Sequence, residues 1–182
     1  GAAWVVRKAL GEIDFHGAKY QEPPPDVTGK DVVMVDFSYK RPVLLEMAEK
    51  ANSILILDHH KTAVEDLVDL PANVTAKFDT GHSGAMLTWE HFFPGQEPPP
   101  LLLHIEDRDL WRFKLEGTRE IQANLFSYPY DFDAWDKLMA ADLLVLNFPI
   151  YWFSTPAILK GWIDRVLVSG TAYGGKRIYD KG

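Results

Sequence analysis

Short apolar runs that stop abruptly on polar, metal-competent side chains constrain this chain more than any other feature. Asp31-Val32-Val33-Met34-Val35-Asp36 is one, and Ile54-Leu55-Ile56-Leu57, followed at once by Asp58-His59-His60, is the next. Runs of this length without polar alternation read as strands buried on both faces. Between them, residues 42–51 suit a helix, with Pro at an early position and Val43, Leu44, Met47 and Ala48 on one face. Residues 74–78 read as a further strand and 83–93 as a helix closed by Pro94-Gly95. A helix over about 101–107 follows Pro98-Pro99-Pro100. Residues 13–20 and 142–148 are strand candidates, and 156–168 a helix candidate. Strand, helix, strand in this rhythm predicts an α/β fold: a three-layer, mostly parallel sheet with helices on both faces. Residues 117–138 are aromatic and mixed, and carry no usable period.

Composition narrows the function classes. The 182 residues include no cysteine, which excludes disulfides, thiolate metal ligands and Cys nucleophiles. A formal net charge of −7 argues against a broad nucleic-acid surface, which is normally basic. It leaves phosphorylated small molecules and short oligonucleotides open as partners, because a bound cation inverts the field of a carboxylate-rich cleft. No apolar run reaches the roughly 18 residues that a membrane helix needs. The opening Gly1-Ala2-Ala3-Trp4-Val5-Val6-Arg7 has neither an initiator Met nor a signal-peptide layout. The expectation is a cytoplasmic protein whose chain starts partway through a domain.

In open parallel sheets, ligands bind beyond the carboxyl ends of the strands. Asp36 ends one apolar run and Asp58-His59-His60 the next, so both groups should meet there. Asp107 and Asp109, in Glu106-Asp107-Arg108-Asp109-Leu110-Trp111, supply further carboxylates. Oxygen ligands with one or two imidazoles suit Mn²⁺ or Mg²⁺. The plainer reading has the carboxylates capping helices and the paired His residues lying in a polar turn.

Val35-Asp36-Phe37-Ser38, Leu57-Asp58-His59-His60-Lys61 and Glu106-Asp107-Arg108-Asp109-Leu110-Trp111 together resemble the second, third and fourth motifs of the DHH-family phosphoesterases. The resemblance covers residues 1–139 and implies a metal-dependent hydrolase. It casts Asp36, His59 and Asp107 as metal ligands, with Asp109 the alternative to Asp107. It places His60 on the substrate phosphate and Asp58 as the residue that orients its neighbours. The family's first motif has no counterpart here, which leaves the implied metal site incomplete. Gly1-Ala2-Ala3-Trp4 corresponds to the start of the helix that follows that motif.

From residue 140 the likeness changes. Ala141-Asp142-Leu143-Leu144-Val145-Leu146-Asn147-Phe148-Pro149-Ile150-Tyr151-Trp152-Phe153, then Pro156-Ala157-Ile158-Leu159-Lys160-Gly161-Trp162, resemble flavodoxin-like NAD(P)H quinone reductases. That resemblance covers residues 140–182 and implies FMN as a cofactor, with Ile150, Tyr151, Trp152 and Phe153 lying against the flavin and Tyr173 in the substrate pocket. An isoalloxazine could stack in such a loop and use its amides. The competing reading makes Trp152, Phe153 and Trp162 the core of an added strand–helix unit. Two expectations result: a phosphoesterase-like segment with residual Mn²⁺ or Mg²⁺, and an FMN-dependent oxidoreductase piece packed on the same sheet. A third reading is a chimera with no activity.

Overall fold

A computed structural model describes residues 1–125 and 131–140. The elements run α1 (Ala2–Leu10), β1 (Asp31–Val35), α2 (Arg41–Ala48), β2 (Ser53–Asp58), α3 (Lys61–Asp66), β3 (Val74–Phe78), α4 (Gly84–Phe92), α5 (Pro100–Asp109), α6 (Thr118–Leu125) and α7 (Phe132–Met139). The three strands form one parallel sheet in the order β1-β2-β3. Its register pairs Val32 with Ile54 and Ile54 with Val74. The expected α/β architecture is therefore present.

Alternation along the strands divides the core between the two faces of the sheet, because successive side chains point opposite ways. Met34, Ile54, Ile56 and Val74 meet Leu44, Met47 and Ala48 of α2 and Ala63 of α3 on one face. On the other, Val35 packs into a cluster built from Ala2, Trp4 and Val5 of α1, Met86 and Trp89 of α4, Leu102 of α5 and Trp135 of α7. Leu44, Ile56, Val5 and Leu102 are completely buried. Burying such side chains contributes roughly 1.5–3 kcal/mol each, which makes these two layers the main source of stability.

The caps explain why two of the helices begin where they do. Ser83 caps α4 by accepting from the Met86 amide at 3.1 Å. Asp131 caps α7 in the same way through the Ala134 amide at 2.7 Å. Pro42 and Pro100 occupy first-turn positions of α2 and α5, where the missing N–H costs nothing. The Trp4 indole N–H donates to Asp136 at 2.6 Å and fastens α1 to α7.

The strand expected over residues 13–20 does not form. That segment is irregular, with Ile13, Phe15 and Tyr20 largely exposed. Its apolar residues find single aromatic partners instead of a ladder: Phe15 lies against Phe132 and Tyr20 against Phe37. Helices α6 and α7 form around residues 117–138, where no period is legible, and α3 is a short helix just after β2. The expected strand at 142–148 and helix at 156–168 lie outside the described residues. No helix among the described residues is long and apolar enough to cross a membrane.

Candidate functional site

The carboxyl ends of β1 and β2 bring three polar side chains together from three elements. Asp36 follows β1, and its amide still donates to the Leu57 carbonyl at 2.9 Å, so it leaves the sheet in register. The backbone then turns sharply: Asp36 has φ 57°, a left-handed conformation uncommon outside glycine. That turn brings Asp36 Oδ1 to 3.2 Å from His59 Nε2. On its other flank His59 Nε2 lies 3.4 Å from Asp109 Oδ2, at the end of α5. The imidazole is largely buried and the two carboxylates are partly exposed, so the cluster opens to solvent on its acidic side. Burial, and next the Asp109 charge, push the Asp36 carboxyl above its ordinary range against the pull of His59 and His60.

Asp58 plays a different part. Its carboxylate is fully buried, yet it has four donors close by. Oδ2 accepts from Ser38 Oγ at 2.7 Å, while Oδ1 accepts from the His59 amide at 2.8 Å and, at longer range, from the His60 amide. The His60 ring nitrogen Nδ1 lies 2.6 Å from the same oxygen. Burial alone would raise the Asp58 pKa, but these hydrogen bonds and His60 hold it below the ordinary carboxylate range. Burial likewise disfavours charge on His60, but the contact with Asp58 overrides it and raises the imidazole pKa. Asp58 thus fixes the backbone and ring that present His59 and His60.

Asp107, expected among the ligands, is turned away from this cluster. It is buried, and its carboxylate accepts from the amides of Lys114 at 2.8 Å and Leu115 at 3.1 Å and from Thr118 Oγ1 at 2.6 Å. Two residues apart on a helix means roughly 200° of rotation, so Asp107 and Asp109 serve opposite directions. The structure assigns the first to the loop after α5 and brings the second to His59. Among the described residues, Asp36, His59 and His60 each offer one ligand atom, all within 4.8 Å of one another.

A second polar group went unnoticed in the sequence because its members are far apart in the chain. Glu106 is buried and joins Arg112 at 3.2 Å to His82 at 3.2 Å, and it also accepts from the Ser83 amide at 3.0 Å. It borders a cleft of about 550 Å³ floored by Met86, Trp89 and Phe93.

Comparison with known proteins relates part of this chain to a flavodoxin-like fold. Residues 96–181 match the family described as having a flavodoxin-like fold. The chain is 63% identical over 46 residues to NAD(P)H dehydrogenase [quinone] 1 of Rattus norvegicus, covering 25% of this chain and 17% of that protein. It is 54% identical over 50 residues to ribosyldihydronicotinamide dehydrogenase [quinone] of Homo sapiens, covering 28% and 22%. It is also 36% identical over 118 residues to the uncharacterized protein R106 of Acanthamoeba polyphaga mimivirus, covering 65% and 28%. The chain thus spans less than a third of the length of these relatives. No solved structure matches.

These findings correct the expectation of a manganese-dependent DHH hydrolase. The family match and the relatives with a stated activity are flavodoxin-like and quinone-reducing, and they support no phosphoesterase. The structure adds a physical reason, since the carboxylate expected to complete the ligand set at Asp107 is committed to a loop. Ile150, Tyr151, Trp152 and Phe153 lie outside the described residues.

Proposed function

We propose that this chain carries the flavin-facing part of an FMN-dependent NAD(P)H quinone oxidoreductase, with Ile150, Tyr151, Trp152 and Phe153 against the cofactor. The 63% identity over 46 residues to a quinone dehydrogenase carries this reading. The residue types suit the group: Pro149 is followed by Ile150 and then by three successive aromatic residues, Tyr151, Trp152 and Phe153, a side-chain type that stacks on planar rings. Bound FMN would supply hydride transfer, which the side chains of this cysteine-free chain do not. The residues' own part is to bind the ring, orient it and exclude water. FMN is itself a phosphorylated small molecule, in keeping with the partner class that the composition leaves open. Equilibrium dialysis of the purified chain against FMN, read by visible absorbance, tests the proposal. Retained FMN that is bleached by NAD(P)H and recoloured by a quinone is the expected result, and colourless protein overturns it.

A second reading has its own observation, the convergence of Asp36, His59 and His60. With two imidazoles to one carboxylate, these residues would hold one Zn²⁺ ion, in a binding role with no hydrolysis attached. Titration with Zn²⁺ followed by the His59 ring resonances tests it. The shift should be lost in Asp36→Asn, and unmoved resonances in the unaltered chain would sink the idea.

A further inference from the structure

The segment between α1 and β1 is fastened to the rest of the fold by side chains. Among the described residues, no bond between main-chain groups leaves residues 12–26; those inside the segment are local, from Ala18 to His16 at 3.1 Å and from Glu22 to Lys19 at 3.2 Å. All of its residues except Ala18 and Pro24 are exposed. Glycines with left-handed torsions flank it, Gly11 at φ 78° and Gly29 at φ 68°. Neither has an atom within 4 Å of where a Cβ would stand, so both are free to turn as hinges.

This strap meets the loop that shapes the Asp36–His59–His60 cluster. The Tyr20 ring lies 4.9 Å from that of Phe37, which in turn meets Tyr39 edge to face at 4.9 Å. Between those two, Ser38 donates to Asp58, the acceptor that fixes His59 and His60. Tyr39 is buried, and among the described residues its hydroxyl has no hydrogen-bond partner. A buried hydroxyl left unpaired is costly and uncommon in folded proteins. Glu22 of the strap stands within electrostatic reach of it: burial, and next the Glu22 charge, push the Tyr39 phenol above its ordinary range. The Glu22 carboxylate is paired with Lys19 at 3.3 Å, an exposed contact of the kind that contributes little. Gln21, beside it, is held at φ 72°, a strained torsion for a residue other than glycine.

We propose that residues 12–26 form a strap with a second, closed position, in which the Tyr39 hydroxyl donates to the Glu22 carboxylate and the strap covers the Asp36–His59–His60 edge. Closing exchanges a solvent-screened ion pair for the pairing of a buried hydroxyl, and it lets Gln21 leave its strained torsion. It also clamps the Phe37–Tyr39 loop and, through Ser38 and Asp58, the ring of His60. Two rates measured on the full chain test this: hydrogen–deuterium exchange over residues 12–26 at short labelling times, and modification of His60 by diethyl pyrocarbonate. Glu22→Ala, an exposed substitution that leaves the core intact, should speed both by at least about three-fold, the effect of losing one hydrogen bond. His82, bonded to Glu106 on α5, should react at an unchanged rate. Glu22→Gln keeps an acceptor and should retain most of the protection. Tyr39→Phe should match Glu22→Ala, and the double variant should be no faster than either single one, because all three remove the same bond. Rates unaltered by Glu22→Ala, or single effects that simply add, overturn the proposal. So does a Tyr39→Phe variant that melts higher while its strap exchanges no faster, the behaviour of an orphan hydroxyl beneath a strap that never closes.

Discussion

Gly84 lies so close to Asp36 that a Cβ built on it would come within 2.5 Å of both Cβ and Cγ of Asp36. The first turn of α4 and the strained turn after β1 therefore share space that only glycine leaves free. Gly84→Ala should force the two apart, separate Asp36 from His59 and destabilise the fold by about 1–3 kcal/mol, the usual cost of overpacking. Chemical denaturation measures the loss, and a variant as stable as the parent would show that α4 can shift without strain.

Asp58 is the buried acceptor on which the histidine pair depends. Asp58→Ala would leave Ser38 Oγ, two amides and the His60 ring without their acceptor. Removing one member of such a network should cost about 2–4 kcal/mol. Asp58→Asn, which keeps the shape but loses the charge, should cost less and should lower the His60 pKa. Denaturation midpoints and histidine NMR titrations of the two variants check both statements.

His91 gives a pH dependence whose sign can be stated. Burial and then the charge of Lys77 lower its pKa from the ordinary 6.5, and Lys77 Nζ donates to the neutral ring Nδ1 at 3.0 Å. A group depressed in the folded state contributes its stability above the unfolded pKa and loses it as pH falls through the folded value. The His91 contribution should therefore be lost as pH drops below about 6.5, opposite in sign to that of His60, whose pKa is raised, and His91→Gln should remove it from the slope. Melting temperatures across this range, with the His91 NMR midpoint, provide the measurement. A midpoint above 6.5 contradicts the expectation.

Much of this architecture is legible in the sequence. The apolar runs at 31–36 and 54–58 have no second interpretation once they are too short for buried helices and too apolar for surface strands. The placement of Asp36 and His59 at one sheet edge follows from parallel topology alone. Residues 13–20 mislead because their two aromatic side chains, Phe15 and Tyr20, tuck singly against Phe132 and Phe37, a pairing that no periodicity reveals. The functional expectation over 1–139 failed for a related reason: Asp-His-His and Asp-x-Asp patterns report residue types, whereas direction decides which carboxylate reaches which partner.

Asp107 and Asp109 offer the sharpest test of that last point. Asp107 closes the loop after α5, and its hydrogen bonds with Thr118, Lys114 and Leu115 hold its pKa below the ordinary range despite burial, which would raise it. Asp109 instead stands by His59, and its charge helps push Asp36 up. Asp109→Asn should consequently bring the Asp36 pKa down while leaving the melting temperature close to that of the parent. Asp107→Asn should do the reverse: a clear loss of thermal stability, faster amide exchange at Lys114 and Leu115, and no direct change in the Asp36 titration. Carboxyl NMR titrations paired with thermal melts distinguish the two. If Asp107→Asn proves neutral to stability while Asp109→Asn unfolds the chain, the division of labour between these two carboxylates is the opposite of the one derived from their geometry.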